Sequence, residues 1–262
     1  MYPIFIIGVP RTGSTFLYQI LTNIYDILYI NNYICKNNNY LYNSFIKSYE
    51  IYGNLPHNNY LSNCGNTMKY GDLSPSECGA LWYNWFSKEN NIPINKENMR
   101  TEISLVINNF QKPIIFKNLY THQRIKTILE CFPDSKFIHI KRNFESVIQS
   151  IFTEWKESKE WWGIKPLNWK KLIKLPLKER IFNQILTLES EIAECKKQIP
   201  KNNFITIDYE NLNQRLIDNI GHKFKLEKKN INVINPVFNI YYERVVDVEL
   251  EEIIKNDKQR QI

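Results

Sequence analysis

The sequence predicts an α/β fold, a three-layer sandwich with a central parallel sheet and helices on both faces. Three observations carry this. Short β-branched and aromatic runs near residues 3–8, 113–117, 136–140 and 204–208 read as buried strands. Helical periodicity follows them: Phe16, Leu17, Ile20, Leu21 and Ile24 after the first, and Phe144, Val147, Ile148, Ile151 and Phe152 after the third. A chain of 262 residues, 43% of them hydrophobic, is long enough to bury one sizeable core. Ligands of such sheets gather at the carboxyl ends of the strands.

The first strand runs into Gly8-Val9-Pro10-Arg11-Thr12-Gly13-Ser14-Thr15-Phe16. Gly8 and Gly13 allow a sharp turn and a close approach of backbone N–H groups to an anion. The helix that follows aims its positive end at the same point, so the segment reads as a phosphate cradle. Arg11 adds a cation, and Thr12, Ser14 and Thr15 add hydroxyl donors. The Gly-x4-Gly spacing is P-loop-like, but Ser14 stands where ATP and GTP enzymes place Lys, and the cation is Arg11 instead. A plain strand-to-helix turn would not need this combination.

A second anion motif follows the 136–140 strand. Arg142 closes its carboxyl end, Asn143 is a candidate N-cap, and Ser146 and Ser150 share a face of the next helix. An Arg at a strand end and a Ser two turns into the helix can close on one phosphate. The plainer reading has Ser150 in solvent and Arg142 paired with Glu145. Further along, Asp208-Tyr209-Glu210-Asn211-Leu212 leaves the last strand, and Lys117-Asn118 ends the 113–117 strand.

Together these segments resemble PAPS-dependent sulfotransferases of the bacterial, small-molecule type, PAPS being 3′-phosphoadenosine 5′-phosphosulfate. The loop from Pro10 to Thr15 resembles their 5′-phosphosulfate loop, and Arg142 with Ser150 their 3′-phosphate pair. Tyr209 falls in their late Tyr-Glu-Asp/Asn-Leu motif. Gly71-Asp72-Leu73-Ser74-Pro75-Ser76-Glu77 and Trp161-Trp162-Gly163-Ile164-Lys165-Pro166 resemble segments of the bacterial members. Roughly the last forty residues match no segment of the family. The resemblance implies in-line transfer of a sulfuryl group from PAPS to a hydroxyl or amine, releasing PAP, with no metal required. It implies donor contacts from Arg11, Thr12, Gly13, Ser14, Thr15, Phe16, Arg142, Ser150 and Tyr209, and catalytic roles for Arg11 and Lys117.

The general base is open on the sequence. Animal cytosolic members carry His two residues after the lysine, where this chain has Leu119. Glu77 is the first candidate, in a segment that reads as a loop entering a helix, with a Ser74–Glu77 capping box as the structural alternative. His122 is second, as a loop residue, and Asp72 third. Arg124 either lines the site or pairs with Glu130 or solvent.

The net charge of +7 suits a polyanionic cosubstrate. It lacks the basic stripe with interleaved aromatics that nucleic-acid binding calls for, and the lysines of residues 165–180 read as a solvated helical face. Five cysteines, odd in number and without Cys-x2-Cys spacing, fit a reducing compartment. With no visible signal peptide or membrane span, a cytoplasmic enzyme of one domain over residues 1–262 is expected. Residues from about 31 to 110 and 153 to 200, helical or loop, would cover a small-molecule acceptor. No nucleic-acid or membrane partner is expected, and the oligomeric state is open. A P-loop kinase-like phosphotransferase and a non-catalytic PAP-binding protein are the other readings. The first would require Gly-Lys-Ser/Thr and a strand-end Asp for Mg²⁺.

Overall fold

The computed structural model describes residues 1–37, 40–158, 163–239 and 247–260. Five parallel strands form one sheet: β1 (Pro3–Ile7), β2 (Leu28–Tyr29), β3 (Ile114–Lys117), β4 (Lys136–Lys141) and β5 (Phe204–Asp208), in the order β2-β3-β1-β4-β5. Four of them are the strands expected from the sequence. The fifth, β2, escapes periodicity because two residues cannot show any.

Eleven α-helices are described: α1 (Ser14–Ile24), α2 (Asn32–Lys36), α3 (Leu41–Tyr52), α4 (Gly79–Trp82), α5 (Lys96–Phe110), α6 (Thr121–Cys131), α7 (Phe144–Ser158), α8 (Trp169–Leu172), α9 (Leu177–Lys196), α10 (Gln214–Lys223) and α11 (Val248–Arg260). Among the described residues, no helix is long and apolar enough to cross a membrane.

Two cores sandwich the sheet, which is why the central strands read as continuous apolar runs rather than as an alternation. On one face Phe5 stacks between Phe116 and Phe137 at 5.5 and 5.4 Å, in register on neighbouring strands. That face packs against α5, α6, α7, α9 and α11 through Ile103, Ile128, Ile148, Leu188 and Leu250. The other face, with Ile4, Ile6, Ile115 and Ile138, packs against Leu17 and Leu21 of α1 and Ile217 and Ile220 of α10.

From β1 the chain fills one side of the sheet with β2 and β3, then crosses to the other side for β4 and β5. The loop after β1 therefore lies at the switch point where the winding reverses. Lys117, Arg142 and Tyr209 leave the neighbouring strands at the same edge. Residues 31–110 supply α2 to α5 and long irregular stretches. Trp161 and Trp162 lie outside the described residues.

Candidate active site

The β1–α1 loop is held by its own backbone. Gly13 adopts φ 84°, and a Cβ there would stand 2.4 Å from the Tyr209 ring. At Gly8, where β1 and β4 run closest, a Cβ would meet the Ile140 carbonyl at 2.6 Å. Arg11 is itself left-handed at φ 70°, a conformation that costs a non-glycine residue energy and turns the loop's amides inward. The first intrahelical acceptor of α1 is the Gly13 carbonyl, which takes the Leu17 N–H at 3.0 Å. The amides of Ser14, Thr15 and Phe16 thus precede the hydrogen-bonded ladder and are available to an anion.

One expected donor is withdrawn. The Thr12 hydroxyl is fully buried and donates to the Val9 carbonyl at 2.9 Å, so it braces the loop instead of facing a ligand.

Arg11 Nε donates to Ser150 Oγ at 2.9 Å. Ser150 is buried, which overturns the reading that places it in solvent, and its described partner is Arg11 rather than Arg142. Arg142 donates from Nη1 to the Arg11 carbonyl at 3.0 Å and lies 4.9 Å from the centre of the Tyr209 ring. Tyr209 is thus wedged between Gly13 and Arg142. Asn143 caps α7 as expected, its Oδ1 accepting from the Ser146 N–H at 3.0 Å.

The opposite wall comes from residues 62–77. Cys64 and Gly65, at φ 50° and 87°, make a two-residue turn closed by reciprocal bonds of 2.8 Å between Asn63 and Asn66. A Cβ on Gly65 would come within 3.1 Å of Thr15 Oγ1 and 3.6 Å of Glu77 Oε1, so this turn roofs the loop. Cys64 Sγ donates to Glu154 of α7 at 2.6 Å; burial raises the thiol pKa, Glu154 raises it further, and Arg11 opposes both.

Glu77 forms an ion pair with Lys117. Lys117 is 4% exposed at the end of β3 and Glu77 is 27% exposed. The expected helix start and the Ser74–Glu77 capping box are both absent. Residues 74–76 are extended and pair with the chain after β2, through Asn32 N to Ser74 O at 3.0 Å and Ser76 N to Ile30 O at 2.8 Å. Ser74 instead hydrogen-bonds the Tyr70 carbonyl, and α4 begins only at Gly79.

These walls enclose a cavity of about 190 Å³, lined by Arg11, Gly13, Ser14, Thr15, Phe16, Cys64, Gly65, Glu77, Lys117, Leu119 and Arg142 among others. Among the described residues, three cations and the N-terminus of α1 face one carboxylate there. Among the described residues, no group of three His, Cys, Asp or Glu is placed to hold a metal ion.

A sequence model of the sulfotransferase family matches residues 3–221. The chain belongs to that family. This sulfotransferase therefore transfers sulfuryl groups, and its solved structural neighbours share its fold. Sulfotransferase STF9 from Mycobacterium avium superposes with a TM-score of 0.56 at 12% identity, covering 98% of this chain and 68% of that one. STF1 from Mycobacterium tuberculosis H37Rv gives 0.52 at 12% identity, covering 98% and 71%. A sulfotransferase from Alicyclobacillus acidocaldarius gives 0.50 at 10%, covering 98% and 91%. No curated protein sequence matches the chain.

Three sequence candidates fall elsewhere in this sulfotransferase. His122 is a buried residue of α6, not a loop residue, with Nε2 2.9 Å from Glu191 of α9 and Nδ1 3.2 Å from the Leu119 carbonyl. Asp72 is 40% exposed, bonded to Lys36 at 2.7 Å and to the Tyr52 hydroxyl at 3.0 Å; these two partners hold its pKa below the usual carboxylate value. Arg124 meets neither Glu130 nor solvent. It is 1% exposed and donates to Asn91 and Asn118, with the rings of Trp82 and Phe86 about its guanidinium. Sequence reasoning missed the roof turn, for which Gly65 between Asn63 and Asn66 is the only local signal.

Proposed function

We propose that this sulfotransferase moves the sulfuryl group of PAPS to a hydroxyl or amine of a small-molecule acceptor and releases PAP. The observation that carries the proposal is the pair of buried Lys117 and half-buried Glu77, set across one cavity from the β1–α1 loop and Arg142. A phosphosulfate donor fits this cradle. A side chain at Gly8 or Gly13 would strike the Ile140 carbonyl or the Tyr209 ring, so these two positions hold the loop to its shape, and the cavity's cations are Arg11, Lys117 and Arg142. Bound there, PAPS supplies an activated sulfuryl group on a phosphate leaving group.

The chain's own residues then have distinct tasks. The Ser14, Thr15 and Phe16 amides and Arg11 offset charge that builds on the leaving phosphate, in place before the reaction begins. Lys117 lies on the acceptor side of the loop and steadies the transferring group. Glu77 holds its carboxylate at the same wall and takes the acceptor's proton; the neutral acid then releases the Lys117 ammonium toward the charge developing on the transferring and leaving groups. Arg142, packed on Tyr209 and tied to the Arg11 carbonyl, takes the 3′-phosphate, with Ser150 positioning Arg11. A kinase-like reading has less support: Ser14 opens α1 where a lysine is needed, and Asp208, at the end of β5, does not line the cavity.

Thermal stability titrated with PAP, and separately with ATP plus Mg²⁺, tests the donor. Ligand at a hundredfold excess over Kd raises stability by about 2.7 kcal/mol. PAP is expected to raise the melting temperature, Arg142→Ala to weaken that rise, and ATP to do nothing. A rise with ATP and Mg²⁺ alone overturns the reading.

A further inference from the structure

A larger cavity, of about 900 Å³, lies between the loop after α4, the start of α6 and residues 165–171. Among the described residues, its walls carry Lys88, Lys165, Lys170 and Lys171 against a single carboxylate, Glu89. The lysines of residues 165–180, which the sequence presents as a solvated face, thus partly converge on one hollow. Aromatic rings stand among them: Lys88 lies 5.3 Å from the centre of the Tyr83 ring, and Lys165 lies 4.5 Å from that of Trp169.

The floor is built and rigid. Arg124 donates to Asn91 Oδ1, Asn91 Nδ2 to Gln123 Oε1 at 2.8 Å, and Gln123 Nε2 to the Lys165 carbonyl at 3.0 Å. The Lys165 N–H returns a bond to the Tyr120 hydroxyl at 3.2 Å. Asn91, which lines the cavity, is 8% exposed and Arg124, directly beneath it, 1%. Among the described residues no carboxylate pairs with Arg124, whose partners are amides and aromatic rings. A buried guanidinium without a counter-ion adds its field to that of the four lysines. Glu191, bonded to Gln123 behind the floor, is a further carboxylate on this side, and it is also bonded to His122 and the Leu167 N–H.

We propose that this cavity is a second binding site, for an anionic molecule carrying one or two rings. Its volume is that of a site for a drug-sized ligand, the ring faces suit a flat or sugar-like body, and mobile lysines suit a carboxylate, phosphate or sulfate in varied positions. The site adjoins the reaction centre. Leu119 lines the first cavity and its neighbour Tyr120 the second. Gly163 packs over Pro10 and Leu119, and two residues later Lys165 lines the second cavity. An acceptor's own anionic group and a separate anionic ligand share this chemistry.

Isothermal titration with p-nitrophenyl β-D-glucuronide and its neutral twin, p-nitrophenyl β-D-glucoside, tests the site without any donor, so its outcome is independent of the PAPS reading. The glucuronide is expected to bind at least tenfold tighter than the glucoside. Combining Lys165→Ala, Lys170→Ala and Lys171→Ala is expected to remove that difference while leaving the melting temperature and PAP response unchanged. Trp169→Ala is expected to weaken both sugars. Equal affinity for the pair, full binding in the triple variant, or inorganic sulfate binding as tightly as the glucuronide overturns the proposal. Sulfation of the bound glucuronide in the presence of PAPS assigns the anion to the acceptor, and binding without sulfation assigns it to a separate ligand; both support the site.

Discussion

Residues 8–15 and residues 62–77 form opposite walls of the same cavity, and they are held by bonds of different reach. The first wall takes its backbone shape locally, with Thr12 bonded to Val9 three residues back and Arg11 and Gly13 in left-handed turns, while the Arg11 side chain and carbonyl reach Ser150 and Arg142. The second joins a local turn at Asn63–Asn66 to a set of distant ties. Asn32 holds Thr67 and Gly71, Ile30 holds Ser76, Lys117 holds Glu77, and Glu154 holds Cys64. A wall made of local backbone geometry can bind an anion with few outside contacts, whereas a wall made of long-range pairs places one side chain against another element. The first wall is expected to govern donor affinity and the second turnover.

Glu77→Gln gives the largest expected effect. It keeps the shape of the second wall and removes the base, so turnover should fall by about 10²–10⁴-fold while PAP affinity is kept. Near-normal turnover would break the division between the walls. On the first wall, Gly13→Ala sets a Cβ 2.4 Å from the Tyr209 ring at φ 84°, and PAP affinity should fall by about 5- to 150-fold through strain of about 1–3 kcal/mol. Tyr209→Ala in the same chain should restore part of that loss, and the double-mutant cycle measures how much of it is the clash.

Acid should loosen the covering chain just before the second wall. His57 Nδ1 accepts from the Asn59 N–H at 3.0 Å, which leaves the Nε2 hydrogen for the Gln19 carbonyl at 3.0 Å, tying the covering chain to α1 in the neutral form. Burial, helped by Lys229, lowers its pKa to about 3. Between the ordinary value near 6.5 and about 3 the unfolded chain binds the proton and the folded one does not. Stability is therefore complete above about pH 6.5 and falls on acidification by up to about 1.4 kcal/mol per pH unit. Melting curves at pH 7 and pH 5 check the slope, and His57→Gln should lower it without abolishing it, because burial also lowers the pKa of His139 to about 3. The smallest effect is that of Thr12→Val, which removes the bond to Val9. It should cost about 1 kcal/mol, seen as a melting temperature lower by about 2–4 °C, with turnover nearly intact.

The phosphate loop, the four longer strands and the cap at Asn143 were legible because each is written in neighbouring residues: a glycine pair, an apolar run, a side chain three residues from the amide it caps. Glu77 was legible as a residue and not as a geometry. Its Ser-x-x-Glu spacing suggests a capping box, yet pairing with residues 30–32 keeps it extended and hands the carboxylate to Lys117. His122 failed as a loop candidate because Thr121–Cys131 is a helix whose inner face meets Glu191 on α9, a partner far along the chain. Thr12 failed as a ligand donor because a hydroxyl next to a sharp turn finds a carbonyl first.

By itself, then, the sequence determined the alternation of strands and helices, the anion-binding loop and the cations that follow β3 and β4, since local propensity and periodicity act over a few residues. Tertiary structure alone decided which side chains face one another: Glu77 with Lys117, Arg11 with Ser150, and four lysines about one hollow above Arg124. These meetings depend on strand order and on the packing of distant segments, and short-range patterns carry no record of either.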